Sequence, residues 1–154
     1  MEYIETHAHG DEPEGCVFCT LVTEGDPDGE RILRRGETAF VTLAKYPYNP
    51  GHLLVLPVRH TGELEDVTAQ ESAEIHGLLQ LCLRALREVS EPHGFNVGLN
   101  LGRTAGAGIP EHLHWHVVPR WGGDTNFMPV VAGTRVLPQL LSETYDRLLP
   151  HFAG

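Results

Sequence analysis

Cations are scarce in this chain. Its 11 lysines and arginines stand against 21 aspartates and glutamates, a formal charge of −10 with histidine neutral. Broad nucleic-acid binding needs a basic footprint, so that class is excluded, whereas a local cluster of donors still suffices for a small anion. Long apolar runs are missing as well, and none approaches the roughly 20 residues that span a bilayer. Met1 to Glu14 are acidic and polar, with no apolar centre for an export signal. The expectation is a cytoplasmic protein without a membrane partner. Cysteine occurs only three times, too seldom for a disulfide scaffold.

What is present reads as an ordinary globular chain. Apolar residues make up 41% and charged residues 21% of 154 positions, enough for one domain with a real core. Residues 1–15 show no period and read as a flexible tail that includes His7 and His9; residues 16–154 read as one domain. Glu37 to Leu43 and His52 to Pro57 have strand character, joined by the turn residues Pro47, Asn49, Pro50 and Gly51. Thr68-Ala69-Gln70-Glu71 fits a capping box. Ile75, Leu78, Leu79, Cys82, Leu86 and Val89 follow at helical spacing, until Pro92 and Gly94 end the helix. Cys82 falls on the apolar stripe and is expected in the core. Phe95 to Leu101 alternates, placing Phe95, Val97, Leu99 and Leu101 on one strand face. Leu140, Leu141, Tyr145, Leu148, Leu149 and Phe152 mark a short C-terminal helix. These elements give the α+β class, with one long helix and one short C-terminal one.

One segment carries chemistry. In His112-Leu113-His114-Trp115-His116-Val117-Val118 three histidines alternate with apolar residues. On a strand running from Leu113 to Arg120, His112, His114 and His116 would line one face. Three readings are open: surface histidines on an edge strand, ligands of a metal, or covalent catalysis by one imidazole flanked by two that hold the reacting anion. The approach to the segment favours the third. Gly102-Arg103-Thr104-Ala105-Gly106-Ala107-Gly108 precedes it; glycines let backbone N–H groups near phosphate oxygens, and Arg103 adds a fork of donors. Arg120 is open between a polyphosphate contact and a surface ion pair. Trp121 is open between stacking on a base, closing a dimer and packing in the core. Cys16-x-x-Cys19 is half a metal site or a redox pair, with His60 a candidate third ligand.

The histidine segment resembles the signature of the histidine triad family of nucleotide hydrolases and transferases. Tyr46-Pro47-Tyr48-Asn49-Pro50-Gly51-His52-Leu53, Gly94 to Gly102 and His116 to Asp124 are similar to its bacterial branch, which includes diadenosine tetraphosphate phosphorylases. The resemblance spans nearly all of residues 16–150. It implies a homodimer with a continuous sheet. It implies His114 as the nucleophile that forms a nucleotidyl-histidine, with His112, His116 and Asn100 completing the catalytic set and no catalytic metal. His52, Lys45, Arg103, Gly106, Gly108 and Trp121 are then substrate-binding candidates, with Asp124, Asn126 and Phe127 near the pocket lip. The resemblance also implies structural zinc on Cys16, Cys19, His60 and His112, pinning the N-terminal segment to the sheet. Two departures stand out. Ala44 occupies the position where many members carry Asp or Asn for the ribose hydroxyls. Gly106 to Glu111 lacks the Gln or Ser that hydrolase members place against the leaving group. The expected activity is nucleotidyl transfer from diadenosine tetraphosphate or a related nucleotide, with phosphate favoured over water as acceptor. A dinucleoside polyphosphate hydrolase, a nucleoside phosphoramidate hydrolase and a low-turnover nucleotide-binding dimer are the alternatives.

Overall fold

A computed structural model of the chain describes residues 15–26, 29, 31–124 and 140–153. His7, His9, Asn126 and Phe127 lie outside the described residues. The backbone runs through helix α1 (Val17–Glu24), strands β1 (Ile32–Arg35), β2 (Ala39–Leu43) and β3 (Leu53–Pro57), helix α2 (Ala69–Ser90), strands β4 (Gly94–Gly98) and β5 (Trp115–Arg120), and helix α3 (Leu141–Leu148). A single 3₁₀ turn, Leu149–Phe152, follows α3. The five strands form one antiparallel sheet in the order β1-β2-β3-β5-β4.

The capping box at Thr68 forms as its residue types require. The Thr68 hydroxyl accepts from the Glu71 N–H while the Glu71 carboxylate accepts from the Thr68 N–H, so two orphan donors of the first turn are satisfied. The stripe Ile75, Leu78, Cys82, Ala85 and Leu86 is buried against Val41, Leu43, Leu53, Val55 and Val117, and α3 closes that layer with Leu148 and Phe152. The other face of the sheet buries Phe40, Ala44, Leu54 and Leu56 under α1, through Leu21 and Phe18. Strands β2 and β3 are therefore covered on both faces, and so read as continuous apolar runs.

Two elements have no periodic signal, α1 and β1. Helix α1 is rich in β-branched residues and lacks a side-chain N-cap, so its stability comes from packing and not from propensity. Its C-terminal end is held instead by Arg35 of β1, whose guanidinium donates to the carbonyls of Leu21 and Val22.

Two expectations need correction. Strand β4 stops at Gly98, and Val97 and Leu101 are exposed, 47% and 46%. β4 is an edge strand, and its alternating face is covered at Phe95, which packs on the core, but not at Val97 or Leu101. The histidine strand begins at Trp115 rather than Leu113. The cause lies in the hydrogen bonds. The Pro57 carbonyl accepts from the His112 ring (2.9 Å), and the His112 carbonyl accepts from the His114 ring (2.8 Å). Side chains thereby take carbonyls that a longer ladder would have used.

Candidate active site and metal centre

Strands β3 and β5 pair Leu54 with His116, so His116 projects from the α1 face of the sheet while Trp115 and Val117 pack toward α2. The His114 ring lies 5.0 Å from that of His116, at 68°. The β4–β5 register ends at Gly98↔His116, and Asn100 follows two residues after that pair. Asn100 donates through Nδ2 to the Gly106 carbonyl, which ties it to the glycine loop. Gly106 has φ +95°, a conformation L side chains rarely adopt.

The hydrogen bonds assign the tautomers of three rings. A carbonyl can only accept, so His114 Nδ1 carries the proton given to the His112 carbonyl, and Nε2 keeps its lone pair. A backbone N–H can only donate, so the Tyr48 N–H (3.1 Å) finds His52 Nδ1 bare and places the His52 proton on Nε2. That proton is donated to His116 Nδ1, 2.9 Å away, which leaves His116 with its own proton on Nε2. The outcome is one imidazole with a nucleophilic nitrogen beside one that presents a donor. Burial pushes His114 below the ordinary histidine range, opposed by its bond to the His112 carbonyl. Burial, then the neighbouring charge of His114, pushes His116 down to about 4. Both rings are neutral near pH 7.

Two aromatic rings frame this pair, and neither was singled out from the sequence. Tyr48 stacks on His52 at 5.0 Å and 15°, and also meets His116 at 5.9 Å. Phe18 of α1 meets His114 at 5.2 Å and His112 at 5.5 Å. Phe18 sits inside Cys16-x-x-Cys19, which was the available clue; Tyr48 sits among turn residues and gave none.

His112 turns away from the other two. Its Nε2 donates to Pro57, and its Nδ1 faces Cys16 Sγ at 3.4 Å and Cys19 Sγ at 3.6 Å. His60 Nδ1 lies 3.3 Å from Cys19 Sγ. The donor atoms of Cys16, Cys19, His60 and His112 all lie within 4.8 Å of one another, a cluster able to hold a metal ion. Two sulfurs and two imidazole nitrogens around tetrahedral zinc would stand about 3.6 Å apart along each S–N edge, which the observed distances match. The Pro57 bond keeps the His112 proton on Nε2 and so leaves Nδ1 bare for an ion. Burial, followed by the influence of Cys16, raises the Cys19 thiol; a bound cation reverses that balance.

The remaining sequence candidates have other surroundings. Lys45 is exposed, with Nζ 5.6 Å above the Tyr46 ring. Arg103 and Gly108 are exposed on the loop. Arg120 pairs with Asp124 and donates to Asn96, so it is an ion-pair member. Trp121 donates to the Ser90 carbonyl and lines a cavity of about 710 Å³ between the Asn49–Gly51 turn, the end of α2 and α3, to which none of the triad histidines contributes. Ala44 is buried among Leu21, Phe40, Leu54 and Leu56 and supplies no acceptor.

The HIT domain model matches residues 29–123. An AP-4-A phosphorylase of Mycobacterium tuberculosis is 52% identical over 136 residues, covering 88% of this chain and 69% of that protein. The crystal structure of a Zn-bound histidine triad family protein from Mycobacterium smegmatis superposes with a TM-score of 0.72 at 29% identity, covering 89% of this chain and 92% of that one. A hypothetical histidine triad nucleotide-binding protein from Sulfolobus tokodaii superposes with a TM-score of 0.69 at 26% identity, covering 89% of each chain.

Proposed function

This chain belongs to the HIT domain family, and on that footing we propose that it is a nucleotidyltransferase acting on diadenosine tetraphosphate or a related dinucleotide, with inorganic phosphate as acceptor. One observation carries the reading: His114 Nδ1 is tied to the His112 carbonyl, so a bare Nε2 stands beside the donor ring of His116. His114 Nε2 attacks the α-phosphorus in line and forms an N–P bond as the P–O bond to the leaving ATP breaks. The imidazolium that results keeps its Nδ1 proton on the His112 carbonyl. His116 donates from Nε2 to an oxygen on the reacting phosphate, where charge builds up. Phosphate then attacks the same phosphorus, releases ADP and returns His114 to its neutral form. Asn100 and the N–H groups of the Gly102–Gly108 loop, with Arg103 and Lys45, are the further donors for the polyphosphate. His112 has both ring nitrogens engaged and acts as a positioning residue through its carbonyl.

The ion held by Cys16, Cys19, His60 and His112 is zinc in this reading. The two-sulfur, two-nitrogen donor set supports that choice, and the ion supplies structural cross-linking and no chemistry. The homodimer forms by extension of the sheet at β4, whose exposed Val97 fits a second copy.

The test is product analysis with diadenosine tetraphosphate, with and without phosphate. ADP and ATP formed only with phosphate supports phosphorolysis. AMP and ATP in its absence makes the chain a hydrolase. Ala44 favours one other reading, a low-turnover binding dimer, because the ribose hydroxyls lose an acceptor there; tight binding without products identifies it.

A further inference from the structure

We propose that Phe18 is a positioning residue for the nucleophile, through which the metal centre holds the His114 ring in its reactive orientation. The inference rests on His114 being the nucleophile. Phe18 lies between two of the four metal ligands, Cys16 and Cys19, on the first turn of α1. A bound ion joins that turn to His60 and His112, from parts of the chain 41 to 96 residues away. The far end of α1 is bound by Arg35 to the carbonyls of Leu21 and Val22. The helix is thus fixed at both ends, and Phe18 packs against the apolar cluster of Leu21, Phe40, Ala44, Leu54 and Leu56 while meeting the rings of His112 and His114.

His114 needs such a wall. Among the described residues its side chain makes one hydrogen bond, to the His112 carbonyl, and its aromatic contacts are with His116 and Phe18. A single bond at Nδ1 pins this buried ring at one point, so its orientation is left to the packing around it, and an in-line attack tolerates little swing; a displacement of about 1 Å costs about a hundredfold in such reactions. His112 couples the same two sites a second time. Its Nδ1 faces the metal position while its carbonyl receives the His114 proton. Helix α1 has no side-chain N-cap and little intrinsic propensity, so without the ion its first turn is left with packing, local bonds to the Cys16 and Cys19 carbonyls and the weak thiol contacts to His60 and His112.

The experiment uses the full zinc-loaded chain and the variants Phe18→Ala and Phe18→Leu. Zinc content, kcat and KM with diadenosine tetraphosphate plus phosphate, and the ring-nitrogen NMR spectrum of His114 are measured for each. Phe18→Ala is expected to keep one zinc per chain and to lose at least about tenfold in kcat with little change in KM. Its His114 spectrum should pass from the single Nδ1–H tautomer to an averaged one. Phe18→Leu, which refills the space, should recover most of kcat. Zinc removal from the parent chain should change the His114 spectrum in the same way. The proposal is overturned if KM rises while kcat holds, which makes Phe18 a substrate contact. It is overturned equally if the His114 spectrum is unchanged both in Phe18→Ala and after zinc removal. Should the parent chain turn over no substrate, the functional reading fails, and the NMR result alone decides the role of Phe18. Should Phe18→Ala not fold, Phe18→Leu and the zinc-free parent decide it by the same spectrum.

Discussion

A single proton location separates a nucleophilic imidazole from an inert one. In this protein three such locations follow from partners that can only donate or only accept: the Tyr48 N–H, the His112 carbonyl and the His52–His116 contact between them. Replacing His114 by alanine is expected to reduce turnover of diadenosine tetraphosphate by at least about 1,000-fold, with zinc content unchanged because its ring is no ligand. His52→Ala removes the donor that sets the His116 tautomer; kcat should fall about tenfold or more, again without loss of metal. The pH dependence has a definite sign. Burial lowers His114 from the ordinary value of 6.5, and the reactive form is the neutral one. The acid limb of kcat/KM should therefore lie below pH 6.5, and a limb at or above that value would contradict the assignment. The pair His112 and His114 also shows where sequence stops short. The resemblance already sets His112 with the cysteines, as the structure does, but the motif gives no sign that His112 also meets the His114 ring through its backbone carbonyl.

At the level of elements, α2 is the part most fully encoded locally. Its cap, its stripe and its end are all written in consecutive residues, and all three form. The cap also reaches outward: the Arg59 guanidinium donates twice to Glu71 and once to the Asp66 carbonyl, anchoring the segment that delivers His60. That ion pair, with the Thr68 N–H, holds the Glu71 carboxyl down to about 2. A depressed carboxyl stabilises the fold fully above its unfolded value, near 4.5, and its contribution is lost as pH falls toward about 2. Glu71→Gln should thus cost about 1–2 kcal/mol at neutral pH and flatten the stability profile between those limits, as chemical denaturation at several pH values would show. Strand β4 makes the opposite point. Its alternation is as regular as that of a buried strand, but the sheet order puts it at an edge, and alternation alone does not reveal what covers a face. Helix α1 has no legible pattern at all, because a cysteine pair, an arginine from β1 and apolar packing replace intrinsic propensity.

Across the molecule, the sheet separates two layers with different work. The α2 layer carries most of the core; the α1 layer carries the Cys16, Cys19, His60 and His112 cluster, with Phe18 against the His114 ring and His116 projecting from the same face. Removal of metal should therefore act first on the α1 side. We expect a chelator to lower Tm by about 10 °C while far-UV circular dichroism keeps the helical signal of α2. Proteolysis should then begin near residues 16–24. No helix among the described residues is long and apolar enough to cross a membrane, in line with the lack of long apolar runs in the sequence.

The sequence by itself determined the elements whose signals are local: the capped and striped α2, strands β2 and β3, the C-terminal helix, and the histidine and cysteine motifs with the family they resemble. It did so because the periods of helix and strand, and the chemistry of caps and turns, depend on residues a few positions apart. Only the tertiary structure decided which nitrogen of His114 is bare, that Phe18 and Tyr48 lie against the rings of His114 and His116, and that Arg120 pairs with Asp124 while Trp121 donates to Ser90. Those outcomes depend on contacts and hydrogen bonds between segments far apart in the chain, and a tautomer or a ligand set exists only once its distant partners have been brought within bonding distance.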